Sequence, residues 1–218
     1  MEPRPKQTPS RVSPLQWPSR GIIHAIGLPP PAGSFSEVLA RRRSTRATSR
    51  CSLQALTSAI GFATRSLYVR QVADAHRFRR PSPSAGGLHP IHVLISPPSG
   101  AARVLLADPD RDRLVRLAVT KPDQVAAFRR QRQAMLPRAR GYFVVLAGNL
   151  DLLGAYYENP ETLFWRDAGA LAQTLALTFE AYRLKSCLMG VTGQEMLNAV
   201  GMDGTLTAAG AMIVGASQ

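Results

Sequence analysis

The spacing of apolar positions changes along the chain, and each spacing predicts an element. After Gly33, Ser34 is followed three residues later by Glu37, the pattern of a capping box, and Phe35, Val38 and Leu39 supply an apolar face. A helix starts there and runs into Arg41-Arg42-Arg43. A second helix takes Ser52 as its N-cap, sets Leu53, Leu56 and Ile60 on one face, and has Gly61 as its stop signal. Residues 69–83 show no period and lead into a loop of Ser, Pro and Gly. Strands are predicted over 92–96, 104–107 and 114–119, the last two joined by the turn Asp108-Pro109-Asp110-Arg111-Asp112 as a hairpin or meander. Pro122 or Asp123 opens a polar helix to about Leu136, and the unbroken apolar run 142–147 reads as a buried central strand. Across 163–184, Ala168, Leu171, Leu175, Thr178, Phe179 and Tyr182 recur at helical spacing, which predicts a central core helix. A short helix over 195–200 and a strand over 211–214 complete an α+β layout.

Composition adds a boundary. Residues 1–32 are rich in Pro, Arg and Ser without a sustained period, and are expected to form an extended or disordered arm, packing on another subunit; residues 33–218 are expected to form one domain. No run approaches the roughly 18 to 20 apolar residues of a membrane span, and the N-terminus lacks the apolar core of a secretory signal, so a cytoplasmic protein with no membrane partner is expected. Cys51 and Cys187 stand far apart, which fits neither a metal knuckle nor a disulfide framework; they are read as structural thiols, and no metal is expected. The net charge of +13 suits a nucleic-acid binder in principle. Its arginines are dispersed, however, and no helix-turn-helix, zinc-finger or RNA-recognition signature accompanies them, so a nucleic-acid partner is not expected.

Two stretches carry chemistry. Arg42-Arg43-Ser44-Thr45-Arg46 gathers three cations and two hydroxyls at a helix exit, a set that suits a phosphate because guanidinium forks bind its oxygens and hydroxyls satisfy the remaining lone pairs. Taken alone it is also what a solvated helix end looks like. Before the first central strand lies Pro81-Ser82-Pro83-Ser84-Ala85-Gly86-Gly87-Leu88-His89-Pro90, whose small residues let the backbone approach a flat ligand while Ser84 and free N–H groups offer hydrogen bonds. Alone, it reads equally as a flexible loop. It is neither a P-loop nor a dinucleotide fingerprint.

Taken in order, R-R-S-x-R at Arg42 to Arg46, P-S-x-G-G-L-x-P at Pro83 to Pro90, A-G-x-x-A-Q at Ala168 to Gln173 and S-C-x-x-G at Ser186 to Gly190 resemble the SagB-type (McbC-like) branch of the nitroreductase family. Leu28-Pro29-Pro30-Pro31 and the Asp108-Pro109-Asp110 turn followed by Leu114-Val115-Arg116-Leu117 resemble it too, so the likeness spans about residues 27 to 215. The resemblance implies a nitroreductase-like α+β fold, with a central mixed or antiparallel sheet flanked by helices, in a homodimer holding FMN at the subunit interface. It implies that Arg42, Arg43, Ser44 and Arg46 hold the FMN phosphate and ribityl chain, that Ser84, Ala85, Gly86 and Gly87 run along the flavin, and that Leu188, Met189 and Gly190 lie near its redox edge. The activity implied is oxidation of azoline or related heterocycles during maturation of a peptide, beside a cyclodehydratase.

Departures from the pattern open alternatives. Azoline-oxidising relatives carry a lysine-tyrosine pair ahead of the core helix; here Ala155 and Tyr156 stand there, leaving Tyr156 as the catalytic candidate, with Tyr157, Glu158 or Asp167 as substitutes. His89 stands where relatives usually have tyrosine. Two further readings follow: an NAD(P)H-dependent nitro or quinone reductase, and a catalytically idle flavin-fold subunit that binds a partner. The flavoenzyme reading requires the arginine cluster and the glycine loop to meet in space.

Overall fold

The computed structural model describes every residue except Ala25, Ile26, Leu28, Pro30, Ala73 and Asp74. Leu28 and Pro30, on which part of the resemblance rests, therefore lie outside the described residues. The chain opens with two strands, β1 (Arg4–Pro5) and β2 (Ser19–His24), followed by the helices α1 (Phe35–Arg41) and α2 (Leu53–Thr64). A hairpin of β3 (Tyr68–Val72) and β4 (Ala75–Arg79) precedes the strands β5 (Ile91–Ser96), β6 (Leu105–Asp108) and β7 (Arg113–Leu117). Then come α3 (Pro122–Met135), β8 (Tyr142–Gly148), α4 (Leu150–Tyr156), β9 (Tyr157–Glu158) and the long α5 (Glu161–Ala181). Strand β10 (Lys185–Leu188), helix α6 (Gln194–Val200) and β11 (Thr207–Gly215) close the fold.

Seven strands make one sheet in the order β10-β11-β8-β5-β6-β7-β2, and every pairing in it is antiparallel. The central strand β8 is apolar throughout because both its faces are covered. Val144 and Leu146 join one core layer with Leu56 and Ile60 of α2 and Leu171, Leu175 and Phe179 of α5. Phe143, Val145 and Ala147 join the other, against Val125 and Phe128 of α3 and Met196 and Leu197 of α6. The fold is thus helices on both sides of an antiparallel sheet, the expected α+β class.

Three local expectations need correction. Helix α2 runs past Gly61 to Thr64: the glycine costs about 1 kcal/mol of helix propensity, which the full burial of Ile60 and Ala63 on either side of it offsets. Residues 69–83, read as aperiodic, contain the β3–β4 hairpin, whose cross-strand pairing leaves no trace in local spacing. Residues 19–24 form the edge strand of the main sheet by pairing with β7. Ile22 and Ile23, its neighbouring large side chains, are both exposed, so no inside-outside alternation marks the strand in the sequence.

Candidate functional site

The arginine cluster begins where α1 ends. The capping box is present in full, with Glu37 N–H donating to the Ser34 hydroxyl and Ser34 N–H to the Glu37 carboxylate, and it fixes the helix start. Arg42 leaves the helix in extended conformation. The exit is pinned from below by Glu180 near the end of α5, only 3% exposed, whose carboxylate accepts from Arg41 Nε at 3.3 Å and from Lys185 Nζ at 2.9 Å. One buried carboxylate therefore ties down the residue before Arg42 and the residue before Ser186. Between them, Ser44 bridges Ser186 and Thr45 N–H donates to the Ser186 carbonyl at 2.9 Å. The two motifs, 140 residues apart, thus touch through backbone.

What this leaves open is informative. The Thr45 hydroxyl oxygen is sealed from solvent without a hydrogen-bond partner. Among the described residues, Arg42, Arg43 and Arg46 have no carboxylate partner. Cys187 beside them is held protonated, burial pushing its thiol up against the opposing pull of Arg46, and it donates to the Leu188 carbonyl. Leu188, the last residue of β10, is exposed, while Met189 N–H donates to the Ala211 carbonyl at 2.8 Å. Nothing stands closer than 3.6 Å to where a Gly190 Cβ would be.

The glycine loop is built around Asp167, a buried carboxylate in the first half of α5. Ser84 Oγ donates to it at 2.6 Å and Ala85 N–H at 3.1 Å, while Ser84 Oγ in turn accepts from His89 N–H at 2.9 Å. The loop folds back over β4, where the His89 ring bonds the Phe78 carbonyl at 2.8 Å. Burial lowers the His89 pKa, so the ring is neutral and donates through Nε2. Gly86 and Gly87 both have positive φ, and a Cβ on Gly86 would sit 2.8 Å from the Tyr157 hydroxyl; only glycine fits. Tyr156 is half-buried with the Arg77 guanidinium 4.2 Å over its ring, and Ala155 is buried. The ammonium that reaches this helix end is that of Lys6, which donates to the Gly154 carbonyl at 2.5 Å.

The two halves do not meet within one chain. One is anchored at Glu180 and the other at Asp167, thirteen residues apart on α5 and hence about 20 Å along its axis. Both halves are bordered by exposed apolar side chains: Phe35, Leu39 and Leu188 by the arginines, Tyr68, Val69 and Trp165 by the loop. Sequence reasoning missed the anchoring role of Glu180, which reads as an ordinary charged position on a helix end. Asp167 had been singled out for acid-base work, not as the loop's anchor.

Comparison with known proteins bears on this geometry. The nitroreductase family model matches residues 39–215. No curated protein matches the sequence at a level that marks a relative. Among solved structures, a candidate nitroreductase from Ralstonia eutropha is similar over 100% of this chain and 99% of its own, with a TM-score of 0.65 at 16% identity. The Escherichia coli microcin synthetase McbBCD complex with truncated pro-MccB17 bound contains a chain similar over 86% of this one and 74% of its own, with a TM-score of 0.60 at 17% identity. A candidate nitroreductase from Desulfovibrio desulfuricans in complex with FMN is similar over 85% and 87%, with a TM-score of 0.50 at 16% identity. At these identities the likeness concerns the fold.

Proposed function

Because this chain belongs to the nitroreductase family, we propose that it is an FMN-dependent oxidoreductase of the SagB type, oxidising azoline or related heterocycles in a peptide. The observation that carries the cofactor assignment is the cluster of Arg42, Arg43 and Arg46 at the exit of α1, none of which has a carboxylate partner among the described residues. A phosphate supplies the acceptor oxygens that such guanidiniums lack, and charge-assisted hydrogen bonds of this kind are the strong ones. Ser44 and Arg46 complete the cradle on this reading, and Leu188 to Gly190 lie beside it.

A two-fold homodimer reconciles the separation of the halves. It sets the arginine cluster of one subunit against the Ser84–Gly87 loop of the other and covers the exposed apolar residues that border both. The similarity to a chain of the microcin synthetase complex, a structure with its truncated precursor bound, supports the peptide substrate and a partner such as a cyclodehydratase.

FMN held by Arg42, Arg43, Ser44 and Arg46 would supply a hydride acceptor. Converting an azoline to an azole removes two hydrogens, and the second leaves as a proton, for which the Tyr156 hydroxyl is the group this chain offers. The Arg77 cation over the Tyr156 ring fixes where that hydroxyl lies. The loop, held by Asp167, keeps small residues along the flavin; the Ser84 hydroxyl and the Ala85 and Gly87 N–H groups, expected as free donors, are instead spent within the chain.

Ala155 in place of the lysine favours a second reading, a nitro or quinone reductase driven by NAD(P)H. An absorption spectrum of the purified protein with mass identification of the released chromophore tests the cofactor, and anaerobic mixing then separates the two activities. Bleaching by a cyclised azoline peptide and not by NADPH is expected. Rapid bleaching by NADPH alone overturns the dehydrogenase, and protein that stays colourless when FMN is added overturns the flavoenzyme.

A further inference from the structure

Behind the glycine loop, whose Leu88 and His89 line the same space, the main sheet splits. Strands β5 and β6 pair only at Leu94–Leu106 and Ile95–Leu105. Their outer neighbours stay paired further: β8 follows β5 to Ile91, and β7 follows β6 to Asp108. The ladder thus opens between residues 91–93 and 107–108. Into this opening reaches a cavity of about 560 Å³, a size typical of small-molecule sites, which run from about 300 to 1,000 Å³.

Its walls are built in two parts. The apolar part is made by Leu106, Val115 and Phe78 from the body and by Leu15, Trp17 and Ile22 from the N-terminal segment, which lies across it as a roof. Inside, Trp17 meets the ring of His92 edge to face at 5.3 Å between centroids, and burial holds His92 neutral, its pKa pushed down to about 4. The polar part is one rim, where Arg80 pairs with Asp110 at 2.6 Å and Arg113 with Asp108 at 2.8 Å. Asp108 also takes Arg111 at 3.3 Å, and Asp110 accepts from the Ser66 hydroxyl at 2.6 Å. Both carboxylates are therefore spent, and of the residues that line the cavity three guanidiniums face two carboxylates; the exposed Asp112, between Arg111 and Arg113, does not line it. Arg113 engages Asp108 through Nε, so its terminal N–H groups keep donor capacity.

We infer that this cavity binds a small anionic molecule with a flat apolar body, a carboxylate or sulfonate on an aromatic frame. The body lies between Trp17 and the Leu106–Val115 wall, and the anion pairs with Arg113 and Arg111. Water filling a chamber of this lining finds few partners on its apolar side, so its displacement by an aromatic group is favourable. The site is separate from the arginine cluster, and the inference does not depend on the flavin assignment.

The test uses the full chain carrying Trp165→Phe, so that Trp17 is the remaining tryptophan, both with and without added FMN. Titration with 2-naphthoate is expected to quench Trp17 saturably at one molecule per chain, and the neutral 2-naphthylmethanol to bind at least tenfold more weakly. Arg111→Gln should weaken 2-naphthoate severalfold and leave the alcohol unchanged. Ala107→Phe, which sets a ring in the gap of the sheet, should abolish quenching. If Ala107→Phe does not fold, the ring signals of His92 decide by NMR in the unsubstituted chain, since 2-naphthoate must shift them. Quenching that never saturates, equal affinity for acid and alcohol, quenching that survives in folded Ala107→Phe, or unmoved His92 signals would each overturn the inference.

Discussion

His92 sits on β5 at a position where the strand's neighbours, Ile91 and Val93, are apolar, and its ring is held neutral by burial and by the nearby Arg80 cation. Its pKa of about 4 lies below the unfolded value of 6.5, so between these limits the unfolded chain binds the proton and the folded chain does not. Its contribution is complete above about pH 6.5 and is lost as pH falls to about 4, and a shift of this size corresponds to about 3 kcal/mol. Urea unfolding across that range should show the loss, and His92→Gln should reduce the pH dependence and leave the part due to His89, whose pKa burial also lowers; an identical slope in the variant contradicts the assignment. Other single residues were legible from sequence for a simpler reason. Ser34, Glu37 and Ser52 act on backbone within one turn, so their roles as caps are written locally. Thr45 reads in the sequence as one of two hydroxyls open to a phosphate; its burial without a partner exists only once Ser186 and its strand have closed over it.

Among the elements, α5 organises the rest. Its apolar stripe was readable from helical spacing, and the predicted span of 163–184 falls close to Glu161–Ala181 because 3.6-residue periodicity over five turns has few competing explanations. Its two buried carboxylates were not assigned their neighbours, since a charge on a core-facing helix position says nothing of what it meets. Glu180→Gln tests the anchor at the arginine cluster. Removing the charge leaves Arg41 and Lys185 facing a neutral amide, and the expected loss is about 3 kcal/mol of stability. FMN binding, read by quenching of flavin fluorescence, should weaken with it because Arg42 and Ser186 are no longer held together. Unchanged flavin affinity would mean that Glu180 serves the fold alone. Strands β2 and β10 and helix α4 escaped local reading because each is short, and two or three repeats over so few positions are not distinctive.

At the scale of the whole molecule, about 20 Å of helix separates the arginine cluster from the glycine loop, and the proposed two-fold dimer brings one subunit's cluster to the other's loop. Phe35→Glu combined with Leu39→Glu places charge on the exposed face of α1 without touching the buried Val38. Size-exclusion chromatography with light scattering should show the dimer replaced by a monomer, and bound FMN should be lost while the far-UV circular dichroism stays unchanged. A monomeric variant that retains its flavin would place the whole cofactor site in one chain.

The sequence by itself determined the layers. Periodic apolar positions decide which face of each helix and strand is buried, and the R-R-S-x-R and P-S-x-G-G-L-x-P motifs mark where small and cationic residues are needed, because both properties are local to the chain. Only the tertiary structure decided that Ser44 meets Ser186, that Ser84 hangs from Asp167, that the arginine cluster and the glycine loop stand apart, and that the sheet opens between β5 and β6. Each of these depends on how segments distant along the chain are oriented in space, and such contacts leave no periodic signal in the residues that make them.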